Sequence, residues 1–271
     1  MQIADILELG HLEGEVIVFG GPVSNLHATE AFLQRMGAEG RAPRQVICTG
    51  DLAAYCGHPA ETIAAVRAFG CAVVAGNCEE QLAGAAKDCG CGFGDGTACD
   101  ALSGAWYAHA AAAVTDDQRQ WMADLPKLVT FTHARGRFAV IHGGAQSINR
   151  FIWSTSPEDL FAEEIATLRA RLGDIDGVFA GHSGIAFQRS VDSVHWINAG
   201  SIGMPPHDSR DATRYARLTN DGVLIERLAY DAAAARAAME SVGLTQGYHR
   251  TLTDGLWPSE DVLPAELKQV A

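Results

Sequence analysis

Four residues of metal-ligand type each stand beside a glycine, directly after a short run of apolar residues. They are Asp51, Asn77, His142 and His182. Apolar runs of this length predict buried β-strands, and open α/β sheets place their chemistry at the carboxyl ends of their strands. One carboxylate, one amide oxygen and two imidazoles suit zinc, iron or manganese. The pattern therefore predicts a shared divalent-metal site at the strand ends.

Each of these residues has a simpler interpretation when it is taken alone. Asp51 would cap a helix or close a turn, and Asn77 would be a turn residue with left-handed backbone. Either histidine would be a hydrogen-bonded, partly buried side chain. Four ligand-type residues at the same end of successive strands favour the shared site over these separate interpretations.

Strands and helices alternate along the first part of the chain, which predicts parallel βαβ units. The predicted strands there are 15–19, 46–50 and 71–75, and the predicted helices are 26–36 and 59–69. Further on, the patterns predict strands at 128–132, 138–141, 178–180 and 195–198, a helix at 156–172, and a hairpin with strands 215–218 and 223–228.

Residues 84–125 interrupt this alternation. Gly90, Gly92, Gly94 and Gly96 mark a flexible stretch, and helical segments follow at 101–113 and 115–125. We predict a helical, Cys-rich insertion over one edge of the sheet, inside a domain that covers residues 1–230. Residues 231–271 are expected to form a C-terminal helix and tail that pack on the same domain.

Composition disfavours several classes of protein. The net charge of −13 and the lack of a basic patch disfavour nucleic-acid binding. No apolar run approaches the length of a membrane span, and the first five residues lack the basic start and apolar stretch of a signal peptide. All seven cysteines lie in the first 99 residues, which predicts reduced thiols in a cytoplasmic protein. Nothing in the sequence sets an oligomeric state.

Five segments resemble those of the calcineurin-like metallophosphoesterases in order and spacing. They are Gly50-Asp51, Gly76–Glu79, His142–Gly144, Gly181–Gly184 and Asn198–Gly203. The resemblance covers roughly residues 14–230 and is greatest to the small bacterial phosphoesterases of this superfamily. It implies an α/β (α+β) fold, a four-layer αββα sandwich with its active site at the carboxyl ends of the strands.

The resemblance also implies a set of metal ligands. Asp51 would bridge two metals in the family, and Asn77, His142 and His182 would complete the shell of one of them. The positions that hold the other metal in the family are occupied here by glycine and valine: Gly21, Val23 and Gly184. The resemblance therefore implies a reduced site with one divalent metal (Mn, Fe or Zn) per chain. Restoring aspartate and two histidines would then recreate a two-metal site.

The expected activity is hydrolysis of a phosphate monoester or diester, with a small phosphorylated molecule as substrate. Beside Asp51, the residues expected near the reaction are Cys78, which replaces a family histidine, Glu79 and Ser183. The turn that contains Gly20, Gly21, Ser24 and Asn25 is a predicted phosphate-binding element, because a glycine turn before a helix can present N–H groups to an anion. A tight turn without a ligand is the alternative.

Two functions of other classes stay open. The chain could be a weak or inactive pseudoenzyme that binds a metal or a phosphorylated ligand and acts through partners. It could also be a redox- or metal-responsive protein that uses Cys78, Cys89, Cys91 and Cys99. These thiols would form a second metal or thiol site, and buried free thiols are the simpler alternative.

Overall fold

The computed structural model describes residues 5–94 and 96–269. Most of the N-terminal segment used for the signal-peptide prediction, residues 1–4, lies outside the described residues, as do Asp95 of the insertion and residues 270–271 of the tail. In chain order, the strands are β1 (Ile6–His11), β2 (Val16–Phe19), β3 (Val46–Cys48), β4 (Ala72–Val73), β5 (Leu128–His133), β6 (Gly136–Val140), β7 (Gly177–Ala180), β8 (Phe187–Val191), β9 (Val194–Asn198), β10 (Thr213–Leu218) and β11 (Val223–Leu228).

These strands form two mixed sheets. The five-stranded sheet has the order β11-β10-β2-β3-β4, and the six-stranded sheet has the order β1-β5-β6-β7-β9-β8. Strands β2, β3 and β4 are parallel, as are β6, β7 and β9. Because parallel strands end at the same edge, the loops after β3, β6 and β7 can meet in one place.

The helices are α1 (Leu26–Ala38), α2 (Pro59–Phe69), α3 (Asn77–Ala83), α4 (Ala98–Ala113), α5 (Asp116–Ala123), α6 (Glu158–Leu172), α7 (Ala232–Ser241) and α8 (Tyr248–Asp254). Helix α1 begins at Asn25, whose side chain accepts a hydrogen bond from the Ala28 N–H. Helix α2 has Pro59 at its first position and ends at Gly70 with a positive φ. Both ends follow ordinary capping chemistry.

Three apolar clusters show the layers of the fold. One lies between the two sheets and includes Val18, Ile47 and Phe179. A second packs α1 and α2 on the outer face of the five-stranded sheet, and a third packs α6 on the other sheet. Both faces of the inner strands are covered. The sequences of these strands are therefore continuous runs of apolar residues. The predicted αββα sandwich is confirmed.

The insertion and the C-terminal tail both pack on the side of the five-stranded sheet. Helices α4 and α5 contact α2, and α5 also contacts α3. Helix α7 contacts α1, and α8 packs against α7. Within the described part of the chain, every helix is too short or too polar to cross a bilayer.

Candidate metal centre

Asp51, His142 and His182 converge where β3, β6 and β7 end. Their candidate ligand atoms all lie within 4.8 Å of one another. His142 Nε2 is 3.4 Å from Asp51 Oδ2 and 3.1 Å from His182 Nδ1. Asn77, the first residue of α3, places its Oδ1 3.0 Å from the same His142 nitrogen. The structure thus brings together the four residues that the sequence singles out.

The tautomer of His142 follows from its second hydrogen bond. Its Nδ1 lies 2.6 Å from the backbone oxygen of Thr49, and a carbonyl oxygen can only accept. The Nδ1 atom therefore carries a proton, and a neutral His142 directs the lone pair of Nε2 into the site. Histidine ligands of metals are commonly oriented by such a bond from the other ring nitrogen.

Asn77 is oriented by the Cys-rich segment. Its amide group donates to the backbone oxygen of Cys89 at 2.8 Å and to the sulfur of Cys91 at 3.4 Å. Because both contacts use the amide nitrogen, the amide oxygen faces His142. The contacts with the Cys-rich segment therefore orient the Asn77 side chain so that its amide oxygen, and not its amide nitrogen, faces the site.

The pKa values of the three converging residues are shifted by burial and by their mutual interactions. For Asp51, burial raises the pKa, but the adjacent His142 outweighs it and lowers the value to about 2. Burial and the neighbouring His142 lower the pKa of His182 to about 3. Burial opposes the charged form of His142, yet the Asp51 carboxylate raises its pKa overall. At neutral pH the site thus contains an anionic carboxylate and a neutral imidazole.

One oxygen of Asp51 also lacks a partner. Oδ1 is buried and makes no hydrogen bond within the described residues, and a buried acceptor without a partner is costly. A divalent metal coordinated by the carboxylate would satisfy it. The donor set of one carboxylate, one amide oxygen and two imidazoles therefore fits such an ion.

Two of these residues have strained backbones. Asp51 and His182 both have φ of 58°, a left-handed conformation that costs non-glycine residues about 1–2 kcal/mol. Strain of this kind concentrates at functional sites, where the surroundings enforce it. Here it directs both side chains into the gap between the strand ends.

Glu79 holds the strained turn at Asp51. The carboxylate is fully buried and accepts hydrogen bonds from the N–H groups of Asp51, Leu52 and Gly76 at 2.8, 2.7 and 2.9 Å. These bonds join the loops after β3 and β4. The structure therefore gives Glu79 a positioning role, while its predicted role near the reaction stays a prediction.

Ser183 and Asn198 support the loop that carries His182. The Asn198 side chain donates to Gly181 O at 2.7 Å and to Ser183 Oγ at 2.8 Å, and the Ser183 hydroxyl donates to Ile152 O at 3.0 Å. These bonds fix the loop from the neighbouring strand β9. Ser183 also lines the pocket in front of the site.

Backbone N–H groups of the turn at Gly20–Asn25 form hydrogen bonds within the protein. The N–H groups of Gly21, Val23, Ser24 and Asn25 all donate to backbone oxygens. The prediction that this turn binds phosphate required free N–H groups, and these four are not free. The bonds from Val23 and Ser24 go to the oxygens of Asp51 and Leu52, so the turn supports the loop of the metal centre instead.

Three of the four cysteines of the predicted thiol site, Cys78, Cys89 and Cys91, lie around the side-chain amide of Asn77. Among the described residues, the group that could hold a metal contains no cysteine. Cys89 and Cys91 form a disulfide pair beside Asn77, with Cα atoms 5.3 Å apart, a normal separation for such a bond. The expectation that all seven thiols are reduced is therefore wrong for this pair. Cys99 lies in α4 instead.

Cys78 is buried beside Asp51. Burial and the negative charges of Asp51 and Glu79 raise the pKa of its thiol well above the usual range. A thiol in this state is a poor nucleophile and a poor metal ligand. Its predicted supporting role near the reaction stays a prediction.

Replacing Cys89, Cys91 and Cys99 together with serine is expected to leave the metal content unchanged. The reason is that Asn77 is held mainly by the backbone oxygen of Cys89, which serine retains. Stability should fall by about 1–3 kcal/mol, since the Cys89–Cys91 disulfide is lost and buried sulfur is replaced by hydroxyl. Elemental analysis and denaturant unfolding would measure both effects, with Cys71→Ser as a control outside the segment. Loss of metal in the triple variant alone would favour a thiol site.

The three positions that the resemblance assigns to a second metal carry no ligand side chains. Gly21 and Val23 have positive φ values of 46° and 44°, and Gly184 has φ of 72°. A Cβ atom built on Gly21 would lie 2.8 Å from Ser201 Oγ, and one on Gly184 would lie 3.6 Å from the Trp257 ring. Ser201 and the C-terminal tail therefore border the space that additional ligand side chains would need.

No sequence pattern marks the part of the tail that reaches this site. Trp257, Ser259 and Val262 line the pocket in front of Asp51 and His182, together with Tyr248 of α8. Isolated aromatic residues in a Pro-containing segment have no periodicity from which such a contact can be inferred.

Comparison with known proteins agrees with this geometry. Residues 20–222 match the calcineurin-like phosphoesterase superfamily domain. A metallophosphoesterase from Sphaerobacter thermophilus is 19% identical, with a TM-score of 0.68 over 90% of this chain and 100% of that one.

A hypothetical protein from Pyrococcus horikoshii is 15% identical, with a TM-score of 0.73 over 90% of this chain and 99% of that one. At these identities the two structures establish the fold. A search of curated protein sequences finds no significant match. Because the family match spans most of the chain and includes the converging residues, the chain belongs to the calcineurin-like phosphoesterase superfamily.

Proposed function

We propose that this protein hydrolyses a small phosphate monoester or diester with one divalent metal ion. Asp51, Asn77, His142 and His182 would hold the ion. The observation that carries the proposal is the convergence of these residues, with His142 Nδ1 hydrogen-bonded to the Thr49 backbone oxygen so that Nε2 faces Asp51, Asn77 and His182. When bound, a divalent metal lowers the pKa of a water and polarises a phosphoryl oxygen.

The protein's own groups supply position and shielding. Phe151 packs against His182 with ring centroids 4.4 Å apart and the ring planes tilted by 39°, so one side of the site is apolar. Glu79 fixes the Asp51 loop and Asn198 fixes the His182 loop. Ligands held in fixed positions and apolar neighbours that exclude water strengthen the electrostatic stabilisation of charge at a phosphoryl group.

The proposal is tested by measuring whether phosphoester hydrolysis depends on added metal. The protein should be freed of metal with a chelator and then assayed on a panel of phosphate mono- and diesters before and after Mn²⁺, Fe²⁺ or Zn²⁺ is restored. We expect turnover of at least one ester to disappear with the chelator and to return with metal. Turnover that is indifferent to the chelator, or absent with every metal, would contradict it.

A second candidate is a pseudoenzyme that binds a metal or a phosphorylated ligand without turnover. It is favoured by Gly21, Val23 and Gly184, none of which can coordinate a cation, at the family's other metal positions. Metal binding without hydrolysis of any ester would select this alternative. The small phosphorylated ligand and the cytoplasmic location are predictions common to both candidates.

The triple variant Gly21→Asp, Val23→His, Gly184→His is expected to gain no second metal. The structure changes the expectation that it recreates a two-metal site, because all three positions have positive φ and Gly21 faces Ser201 Oγ at 2.8 Å from a built Cβ. Stability should fall by about 2 kcal/mol or more. Metal counting and unfolding would check this, with Val23→His alone as the control. A folded variant that holds two metals would contradict it.

A further inference from the structure

A largely apolar pocket opens directly onto the candidate metal centre. Asp51 and His182 are among its lining residues, and aromatic side chains from separate parts of the chain contribute much of the rest. These aromatic residues are Tyr55, Phe93, Phe151, Tyr248 and Trp257. The pocket has a cavity volume of about 60 Å³ and is partly open to solvent. No lysine or arginine is among its lining residues in the described part of the chain.

Contacts within the protein hold the aromatic walls. The rings of Tyr55 and Tyr248 are 4.6 Å apart, and Phe93 stacks on Phe151 at 6.1 Å. Phe151 in turn contacts His182, so one wall continues to the candidate metal ligands.

The C-terminal wall is anchored by hydrogen bonds. Trp257 Nε1 donates to Pro205 O at 2.8 Å, and the Trp257 backbone N–H donates to His207 Nδ1 at 2.8 Å. Both partners belong to the loop before β10. The tail residue is thereby fixed at the mouth of the pocket, with its ring facing the interior.

We propose that this pocket binds the alcohol part of the substrate and that this part is a neutral aromatic group. The inference rests on the proposed function, since the phosphate would lie at the end lined by Asp51 and His182. Aromatic side chains stack favourably on a flat apolar ring, and burying such a ring contributes through the hydrophobic effect.

The same lining disfavours other common phosphoesters. A sugar phosphate would bury hydroxyl groups, and a polyphosphate would bury further negative charge. Burial of either without partners is costly, and the side chains available to a ligand in the outer part are mainly aromatic and aliphatic. The hydroxyl groups of the lining belong to serine and tyrosine side chains, and none of the described lining residues is a lysine or arginine that could stabilise a further negative charge. The chemistry therefore selects an ester whose charge is confined to the phosphate.

The reaction needs no co-reactant beyond water. A bond forms from the water oxygen to phosphorus, and the bond from phosphorus to the ester oxygen breaks. The alcohol leaves with a proton that derives from that water, and the second product is inorganic phosphate from a monoester or a phosphate monoester from a diester. Oxidation states do not change.

Two pairs of probes separate the aromatic group from the phosphate. Benzyl phosphate and ethyl phosphate carry the same dianion and leave as alcohols of similar basicity, so a difference in kcat/KM reports the aromatic ring. Benzylphosphonate and ethylphosphonate are not hydrolysed and report binding alone. With the Mn²⁺-loaded full chain, we expect the benzyl compounds to be preferred roughly 10-fold to 100-fold in both measurements.

Substitutions of pocket residues test whether the preference for benzyl compounds arises from the pocket. Trp257→Ala and Phe93→Ala should each reduce the ratio of benzyl to ethyl values by roughly 5-fold or more, in kcat/KM and in phosphonate binding. Phe93 is half-buried on the Cys-rich segment, so its replacement is informative even if the Trp257 variant fails to fold. Leu256→Ala is the matched control, because Leu256 neighbours Trp257 in the tail, is 37% exposed and does not line the pocket.

The possible results separate this inference from the proposed function. Equal kcat/KM for both esters, or a benzyl preference that survives in a folded Trp257 or Phe93 variant, would overturn the inference and leave the hydrolase intact. No turnover of any ester, combined with tighter binding of benzylphosphonate that depends on Trp257 or Phe93, would overturn the hydrolase and support the pocket. Neither turnover nor selective binding would overturn both.

Discussion

Asp51→Asn is expected to remove the bound metal and to lower phosphoester turnover by roughly 10³-fold or more. The Asp51 carboxylate is the anionic member of the converging set, and His142 holds its pKa down to about 2 despite burial. Asparagine keeps the shape but lacks the charge, so attraction for a divalent cation is lost. Asparagine also tolerates a φ of 58°, which keeps the backbone of the turn.

Elemental analysis and steady-state kinetics on the same preparation would measure both effects. Asp221→Asn is the matched control, since Asp221 is an exposed residue in the turn between β10 and β11. It should retain the metal and the activity of the unmodified protein. An Asp51→Asn protein with a full metal complement would show that the ion is held elsewhere.

Glu79→Gln is expected to lower the free energy of unfolding by about 3 kcal/mol. The buried carboxylate accepts three N–H groups, two on Oε2 and one on Oε1. A glutamine that keeps two of these bonds must direct its own NH₂ group at the third N–H. Two donors would then face each other without water, and the Asp51 turn would lose part of its support.

Denaturant unfolding of the metal-free proteins would measure this loss, because bound metal would add its own stabilisation. The adjacent Glu80→Gln is a close control. Glu80 forms a partly exposed ion pair with Lys127 at 2.8 Å, and such pairs contribute about 1 kcal/mol or less. Equal unfolding midpoints for the two variants would show that the Glu79 hydrogen bonds do not stabilise the fold.

Much of the fold follows from local sequence patterns. The helix predicted at 59–69 occurs with those bounds, because Pro59 and Gly70 mark both ends. The strand before Asp51 and the hairpin around Asn220–Gly222 also occur where expected. Apolar runs and turn residues are local patterns of a few positions. They therefore predict strands, helices and turns without knowledge of the tertiary structure.

Other elements lacked such patterns. Strand β1 lies at the edge of its sheet, where four of its six residues are exposed, and its apolar residues do not form the continuous run that marks a buried strand. Strand β8 is a short partner of β9 with polar residues on one face. Helix α3 starts at Asn77 itself, which alone reads as a turn residue. In each case pairing with distant residues outweighs the weak local preference.

The candidate site was predictable in part. Asp51, Asn77, His142 and His182 stand out because strand ends and glycines mark their positions. The backbone oxygens of Thr49 and Cys89, which orient two of these side chains, are independent of side-chain identity. The engaged N–H groups of the Gly20–Asn25 turn likewise depend on loops far along the chain. Sequence patterns therefore indicate ligands better than the contacts that orient them.

The number of metal ions per chain tests the central claim most directly. Metal-free protein should be titrated with Mn²⁺ and its stoichiometry measured by native mass spectrometry and elemental analysis. Asp51, Asn77, His142 and His182 predict one ion per chain, because no side chain that can coordinate stands at Gly21, Val23 or Gly184. Two ions per chain, or none at saturating Mn²⁺, would contradict the account.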